Sequence, residues 1–391
     1  MAEWLSVVGL GEDGLPGLAE ASLVALSRAE VVFGSPRLLA QLTHADKRPW
    51  PVPFSIAPLL ALRGRKVAAL VSGDPFWHGA GGAIADQLPQ GEWRAWPAPS
   101  VLSLAAAALG WRLEEVTALG LHAAPFARLR PALSPGARLI VTLRDGQAPA
   151  ALAAWLTGLG FGDTLLHVME RLGGAEQQIR LFRAADPLPV TADLVSCALE
   201  VGEGPVLSHA AGRPDEIFEH DGQITRRPIR ALALSALAPR GGELLWDLGA
   251  GSGSVGIEWL LAEGRNRVIA VEQDPLRAAR ARRNAAALGC VHYRLIEGKS
   301  AALIGQMEPP AAVFIGGGLD QALLERLTAI LAPGTRLVAH GVTLETEALL
   351  IAARLRFGGD LLRIGLSEVT TLGQRHAWKA AYPVTQWRVQ L

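Results

Sequence analysis

A glycine-rich turn between two apolar runs is the clearest candidate for chemistry in this 391-residue chain. The run LLWDL is followed by Gly249, Gly251 and Gly253, and the next apolar run ends in Glu272. Glycine adopts positive φ and carries no Cβ, so a nucleotide-like ligand can lie directly on such a turn. An acid at the end of the following strand suits the hydroxyls of a ribose. The pattern therefore predicts a nucleotide-type site made of this turn and Glu272.

The glycine turn alone is consistent with three interpretations. Residues 251–256 also match GxGxxG, which occurs in NAD sites, and some glycine turns hold no ligand. Asp247 ahead of the glycines and LAPGTRLVAH at 331–340 resemble class I methyltransferases. This resemblance favours S-adenosylmethionine as the ligand.

The donor site that this half predicts extends beyond the turn. Lys299 stands near the point where class I enzymes often carry an acid for the adenine amine, so only backbone contacts are expected around it. Thr225 precedes the first helix of this half and is equally consistent with a donor contact and with a plain helix N-cap. The predicted donor-binding residues of this half are Thr225, Asp247, Gly249, Ala250, Gly251, Ser252, Gly253, Glu272, Gly298 and Ser300.

Two further motifs of this half lie at the carboxyl ends of predicted strands. The glycine triplet of IGGGLD contains Gly317, and LVAHG places His340 at the end of the next strand. Ligands of open α/β sheets bind at this edge. We therefore predict Gly317 as a substrate contact and His340 as a catalytic residue, with a structural turn and a core histidine as the alternatives.

The elements around these motifs indicate an α/β fold in two parts. Strand-like and helix-like segments alternate, which predicts parallel sheets covered by helices, while shorter spacing at 165–201 predicts antiparallel strands. Apolar periodicity lapses at 201–228, where Gly, Pro and charged residues dominate. We predict a first domain at 1–202, a linker leading into the second domain at 203–228, and a second, Rossmann-like domain at 229–391.

Composition and charge disfavour several functional classes. The 37 basic and 37 acidic residues give zero net charge, which argues against nucleic acid as a partner. The longest uncharged stretch, 96–111, is too short to span a bilayer, and the amino terminus is typical of a first strand rather than a signal peptide. Cys197 and Cys290 form no CxxC or Cys/His cluster, so we expect buried thiols, a cytoplasmic location and no metal site.

The first half carries five turn motifs, each after an apolar run. They are VVGLGEDG, SGDPFWHGAG, PAPSVLSLAAAALG, GLH and LRDGQAPAALA. Because each follows a strand, we expect all five at the same edge of one sheet. Asp74 precedes a proline, which holds it extended and directs its carboxylate toward that edge. Ser100 is a predicted helix N-cap, with Gly110 as the helix stop.

The motifs of the two halves resemble two different families. SGDP, PSVLSLAAAALGW and LRDG resemble the tetrapyrrole (corrin/porphyrin) methylases, and the VGLGEDG opening is close to the members that methylate C5 of a corrin precursor. GRPDEIFEHDGQITRRPIRA, WDLGAGSGSVGIEW, VFIGGG and PVTQW resemble methyltransferases that act on C15 and decarboxylate the ring-C acetate. The whole chain is thus similar to the fusions of both that serve cobalamin biosynthesis.

This resemblance implies an enzyme that uses S-adenosyl-L-methionine, one per domain. The implied reaction is methylation of precorrin-6Y at C5 and C15 with decarboxylation of the C12 acetate, giving precorrin-8X, by a homo-oligomer. Arginine forks are expected along the approach of this polycarboxylated tetrapyrrole. The predicted substrate contacts are Arg226, Arg227, Arg230, Gly317, His376 and Trp378. The implied donor contacts of the first domain are Gly9, Gly73, Asp74, Ser100 and Val101. The predicted catalytic residues are His122, Asp145 and His340.

Three other interpretations stay open on the sequence. An NAD-dependent dehydrogenase would use the same glycine turn. Alternatively, the first half is a ligand-binding or scaffolding module and only the second half is catalytic. In the third, the chemistry is unchanged but the substrate is the cobalt-containing precursor of the oxygen-independent route. The single-chain fusion favours the metal-free substrate.

Overall fold

The computed structural model describes residues 3–391, which divide into two compact units. One unit contains the residues up to 126 and 132–206, and the other contains 127–131 and 207–391. Residues 207–228, predicted as part of a linker, therefore belong to the second unit. Leu207 and Phe218 are buried in its core, which explains why this segment is ordered by packing despite its polar composition.

The first unit begins with a five-stranded parallel sheet. Its strands are β1 (Leu5–Leu10), β2 (Val31–Gly34), β3 (Lys47–Pro49), β4 (Val67–Ser72) and β5 (Trp93–Trp96). Their order across the sheet is β3-β2-β4-β1-β5. The accompanying helices are α1 (Glu20–Ser27), α2 (Pro36–Leu39), α3 (Ala57–Leu60), α4 (Gly81–Ala85) and α5 (Val101–Leu109).

A second, mixed sheet completes the first unit. Its strands are β6 (Val116–Gly120), β7 (Arg138–Thr142), β8 (Leu165–Glu170), β9 (Gln178–Arg183) and β10 (Val195–Glu200), with α6 (Ala148–Gly158) between β7 and β8. The order is β6-β7-β10-β8-β9. Strands β6 and β7 are parallel and the other pairs are antiparallel, which confirms the predicted change of strand direction late in this half.

The second unit is built on a seven-stranded sheet. Its helices are α7 (Arg227–Leu237), α8 (Ser254–Ala262), α9 (Pro275–Ala287), α10 (Ser300–Leu303), α11 (Gln321–Ile330) and α12 (Leu344–Phe357). Its strands are β11 (Leu244–Leu248), β12 (Arg267–Glu272), β13 (Tyr293–Glu297), β14 (Ala312–Ile315), β15 (Arg336–Gly341), β16 (Asp360–Ile364), β17 (Ser367–Leu372), β18 (Arg375–Ala380) and β19 (Val384–Gln390).

The strand order in the large sheet is β13-β12-β11-β14-β15-β19-β16. The first five strands are parallel, and β19 is antiparallel to both of its neighbours. Strands β17 and β18 form a separate two-stranded hairpin. All five residues of the central strand β11 are buried, as expected where helices cover both faces of a parallel sheet. The predicted α/β class is confirmed.

The two predicted ends of α5 are confirmed in detail. The Ser100 hydroxyl accepts a hydrogen bond from the Ser103 amide at 3.2 Å, and Gly110 ends α5 in the left-handed conformation. Asp274 caps α9 by accepting from the Leu276 amide at 2.8 Å. These side chains satisfy amide donors that the first helical turn leaves unpaired.

One topological prediction was wrong. The first three turn motifs of the first unit follow β1, β4 and β5, but the turns that carry His122 and Asp145 follow β6 and β7 of the other sheet. A single sequence pattern of apolar strand and polar turn does not report which sheet a strand joins. None of the helices in residues 3–391 combines the length and the hydropathy that crossing a membrane requires.

Candidate active site

A cavity of about 690 Å³ lies in the second unit at the carboxyl ends of β11, β12, β14 and β15. The order of the strands reverses between β11 and β14, which is where open α/β sheets bind their ligands. The structure brings eleven of the predicted residues to its wall. They are Thr225, Arg226, Gly249, Ala250, Gly251, Ser252, Glu272, Gly298, Ser300, Gly317 and His340.

The glycine turn forms the floor of this cavity. Gly249 and Gly251 have φ values of 73° and 58°, and a Cβ on Gly249 would lie 3.1 Å from the carbonyl oxygen of Gly317. The Glu272 carboxylate accepts hydrogen bonds from the amides of Gly251 at 2.8 Å and Asp274 at 2.9 Å. Backbone therefore faces the cavity without side chains in the way, and an acid lies beside it.

Asp247 lies beneath the turn and not on the cavity wall, contrary to the prediction of a donor contact. Its side chain is fully buried and accepts a hydrogen bond from the Gly256 amide at 3.0 Å, near the start of α8. Gly253 is likewise absent from the wall and is the N-cap residue of that helix. Burial, together with the nearby charge of Glu272, raises the pKa of the Asp247 carboxyl to about 7.

We expect Asp247→Asn to change how stability depends on pH. A carboxyl whose pKa is raised in the folded state stabilises the fold most below pH 3.8, its ordinary pKa. This stabilisation is lost as the pH rises through about 7, the pKa in the folded state. The asparagine keeps an acceptor for Gly256 and does not ionise, so the variant should be more stable than the wild type at pH 8, by on the order of 4 kcal/mol.

Thermal unfolding between pH 4 and pH 8 measures this difference. The advantage of Asp247→Asn should shrink steadily as pH falls below 7. The exposed Asp86 provides the matched change, and Asp86→Asn should show no such trend. A constant difference between wild type and Asp247→Asn across this range would contradict a buried, largely protonated Asp247.

His340 is buried at the end of β15 but still contributes to the cavity wall. Its Nε2 lies 2.9 Å from Oε1 of Gln386. Its ring packs edge to face against Phe314, with 5.1 Å between the ring centroids. Burial lowers the pKa of the imidazole, so the ring is neutral at pH 7. A neutral histidine on a cavity wall can accept a proton.

The three predicted arginines have different environments. Arg226 lies on the cavity wall, whereas Arg227 is exposed and does not reach it. The prediction for Arg230 was wrong: its side chain is fully buried and pairs with Glu258 at 2.6 Å and Asp215 at 2.8 Å. A guanidinium held by two carboxylates inside the protein is structural.

Two other predictions for this half, and the alternative interpretation of Thr225, also need correction. Thr225 reaches the cavity but does not cap α7, because the N-cap residue is Arg226 and no side chain caps this helix. His376 and Trp378 lie on β18 of the separate hairpin, where Trp378 is 74% exposed, and neither lines the cavity. Basic and aromatic residues close in sequence here mark a solvent-exposed ribbon.

The first unit contains its own cavity, of about 720 Å³, lined by turns from both of its sheets. The predicted residues on its wall are Gly73, Asp74, Ser100, Val101 and His122. Asp74 accepts a hydrogen bond from the Phe76 amide at 2.8 Å, which holds the turn after β4.

Two predicted residues of this half lie outside the cavity wall. A Cβ on Gly9 would lie 2.0 Å from the carbonyl oxygen of Gly73, so this glycine permits close backbone packing instead of ligand contact. Asp145 accepts hydrogen bonds from the amides of Gln147 at 3.0 Å and Ala148 at 3.1 Å. It stabilises the start of α6, which corrects the catalytic prediction.

The chain matches two family models in succession. Residues 5–187 match the tetrapyrrole (corrin/porphyrin) methylases, and residues 216–391 match the precorrin methyltransferase domain. A precorrin-6Y C(5,15)-methyltransferase [decarboxylating] of Sinorhizobium sp. is 44% identical over 99% of this chain and 96% of its own length. A protein of the same name from Mycobacterium tuberculosis is 37% identical over 98% of both chains.

The chain belongs to the precorrin-6Y C5,15-methyltransferase (decarboxylating) family. It is accordingly a methyltransferase with S-adenosylmethionine as the methyl donor, and the dehydrogenase interpretation is wrong. Among solved structures, the C-terminal domain of the Rhodobacter capsulatus family member is 48% identical and covers 47% of this chain and 100% of its own, with a TM-score of 0.46. A cobalt-precorrin-6B C(15)-methyltransferase (decarboxylating) of Salmonella typhi is 33% identical over only 44% of this chain.

The structure also places residues at these cavities that the sequence did not identify. His78 has a φ of 56°, lines the first cavity, and lies 5.9 Å from His122 between ring centroids. Its Nε2 would be 2.8 Å from a Cβ on Gly120, which explains the glycine there. Because these residues come from different sheets, no local motif could have indicated the histidine pair.

Tyr293 was missed as well. Its hydroxyl is buried, has no hydrogen-bond partner in the described part of the chain, and would be 2.6 Å from a Cβ on Gly253. Its ring packs against Gly256 in the same way. These two glycines are therefore required by the packing of one aromatic residue beneath the turn.

Proposed function

We propose that this chain methylates precorrin-6Y at C5 in its first unit and at C15 in its second, with decarboxylation of the C12 acetate in the second unit, giving precorrin-8X. The observation that carries this proposal is the presence of two separate cavities, of about 720 and 690 Å³. Each is lined by the turns that match a different methyltransferase family. We propose one donor molecule in each cavity.

In the second unit, the residues present suit the methyl donor. Backbone at Gly249 and Gly251 forms an open floor, and the Glu272 carboxylate beside it is placed for ribose hydroxyls. The donor supplies a methyl group already activated by a positively charged sulfur. The protein then mainly has to align the reacting carbon and exclude water.

Cationic side chains on the walls of the two cavities support a polycarboxylate as the substrate. Arg226 and Lys299 line the second cavity, and Arg37 and Arg144 line the first. Guanidinium groups bind carboxylates through paired, charge-assisted hydrogen bonds. Arg144 was not predicted, although it belongs to the LRDG motif.

The two reactions of the second unit have opposite proton requirements. A methyl group that replaces a hydrogen on carbon releases a proton, whereas loss of CO2 from an acetate leaves a carbon that must gain one. His340 is neutral and lies on the wall, so we propose it as the proton acceptor. His122 is the corresponding candidate in the first unit.

We favour the metal-free substrate over the cobalt-containing one. Relatives that match the full chain carry the precorrin-6Y name, whereas the cobalt-precorrin relative matches less than half of it. The assignment of one reaction to each domain, the homo-oligomeric state and the cytoplasmic location also stay predictions.

The proposed function is tested by incubating the chain with S-adenosylmethionine and precorrin-6Y and determining the product mass. We expect two methyl additions and loss of one CO2 per macrocycle. A single methyl addition with CO2 loss would instead support the interpretation in which the first unit is a scaffold.

Asp74→Ala should remove the methylation at C5 and leave C15 methylation and CO2 loss intact. The substitution deletes the acceptor that holds the Phe76 amide and changes the wall of the first cavity. A displacement of the reacting groups by about 1 Å lowers the rate of such a reaction by about 100-fold. Product mass and fragment analysis measure the loss, and the exposed Asp86→Ala is the control. Loss of both methyl groups in Asp74→Ala would contradict independent sites.

A further inference from the structure

Gln386 and His340 form a buried side-chain pair beside the second cavity. The two residues lie directly opposite each other on the antiparallel strands β15 and β19. His340 is 3% exposed and Gln386 is 5% exposed. A 2.9 Å hydrogen bond joins Nε2 of His340 and Oε1 of Gln386. The carboxyl-terminal strand thus supplies a partner to a residue of the cavity wall.

This contact determines where the proton of the imidazole lies. An amide oxygen only accepts hydrogen bonds, so Nε2 of His340 must carry the proton. The ring is neutral, which leaves a lone pair on Nδ1. In the described residues, 3–391, the hydrogen bond found for the His340 ring is the one at Nε2. The perpendicular contact with Phe314, at 88°, limits the orientations that the ring can adopt.

We propose that Gln386 is a positioning residue for the second methylation, holding His340 as the tautomer whose Nδ1 accepts the proton lost from the methylated carbon. This inference rests on the proposed function. The new carbon–carbon bond forms as the methyl–sulfur bond breaks and its electron pair stays on sulfur. The carbon–hydrogen pair then restores the ring double bond while the proton passes to Nδ1.

Charged groups around the pair bear on any pH dependence. Glu347 of α12 accepts a hydrogen bond from Thr385, the neighbour of Gln386, and lies 3.8 Å from Arg363 of β16. The ionisable residues that line the same cavity are Arg226, Glu272, Arg277, Lys299 and Asp320. None of these five residues has a hydrogen bond to His340. Gln386 does, and it therefore determines whether Nε2 carries the proton.

The tautomer is measured first, without turnover. Full-length chain labelled with 15N-histidine is examined by NMR, and the His340 signals are assigned by their loss in His340→Asn. We expect the Nε2-protonated neutral form in the wild type. Gln386→Met should weaken this preference, whereas Gln390→Met, the same change at an exposed position of the same strand, should not. A wild-type ring protonated on Nδ1 would overturn the proposal.

Kinetics then separate positioning from a merely structural role. Gln386→Met should lower kcat for C15 methylation by about 100-fold with little change in KM, while C5 methylation is unchanged. Gln386→Glu keeps an acceptor for Nε2, but its charge raises the pKa of His340, so the acidic limb of its rate profile should move to higher pH and activity should recover there. Retained binding of two S-adenosylhomocysteine molecules shows that each variant is folded.

Two outcomes would contradict the role of Gln386. One is a wild-type kcat in folded Gln386→Met, and the other is an unchanged pH profile in Gln386→Glu. If the wild type itself adds no methyl group at C15, the proposed function fails, and the NMR result still establishes whether Gln386 fixes the tautomer.

Discussion

Gly251→Arg is expected to abolish C15 methylation and CO2 loss while C5 methylation proceeds at the wild-type rate. Gly251 has a φ of 58°, and its amide donates to Glu272 on the cavity floor. An arginine side chain would occupy the space of the donor and force a β-carbon onto left-handed backbone. We expect a loss of about 100-fold or more in the second reaction. Product mass reports both reactions in one sample.

Gly242→Arg is the matched control for this substitution. Gly242 also has positive φ, at 84°, but a Cβ there meets no atom within 4 Å and the residue lies outside the cavity. Backbone strain is therefore similar in the two variants, and only Gly251→Arg fills the site. Equal loss of C15 methylation in both variants would mean that strain, and not ligand exclusion, explains the effect.

The largest expected loss of stability comes from Arg230→Met. Glu258 is fully buried and also accepts hydrogen bonds from the amides of Gly212 at 2.7 Å and Arg213 at 2.9 Å. Arg230 is the closest cation to the Glu258 carboxylate, at 2.6 Å, whereas Arg213 is 3.7 Å away. Removal of Arg230 therefore leaves a buried carboxylate without its main partner. Breaking such a pair costs about 3–5 kcal/mol.

Hydrogen exchange of the full chain measures this loss locally. Amides of α7 and α8 should open more readily in Arg230→Met, by about 3–5 kcal/mol, while those of the first unit are unaffected. Arg227→Met changes an exposed arginine three residues earlier and should shift these amides by less than about 0.5 kcal/mol. If the two variants behave alike, Arg230 does not anchor the second unit.

The sequence indicates the second cavity well because its determinants are local. The glycine turn and the acid after the next strand lie within about one strand–helix–strand unit, so their spacing predicts their proximity. The same reasoning failed for Arg230, which differs from Arg226 by one helical turn. Which of the two points inward depends on Glu258, 28 residues further along the chain.

The first cavity was harder to predict because two sheets contribute to it. Asp74 and Ser100 were placed correctly from their own turns, yet His78 acquires its position through Gly120 of the other sheet. Asp145 has the same turn chemistry as Asp74, but its carboxylate stabilises a helix start. Local motifs predict that a polar turn exists and leave open whether a ligand or a helix uses it.

The two-site interpretation requires that each unit binds one molecule of the methyl donor. Isothermal titration of the full-length chain with S-adenosylhomocysteine tests this directly, since it counts molecules bound without requiring the tetrapyrrole. We expect saturation at two molecules per chain, falling to one in Gly251→Arg. Saturation of the wild type at one molecule would contradict it.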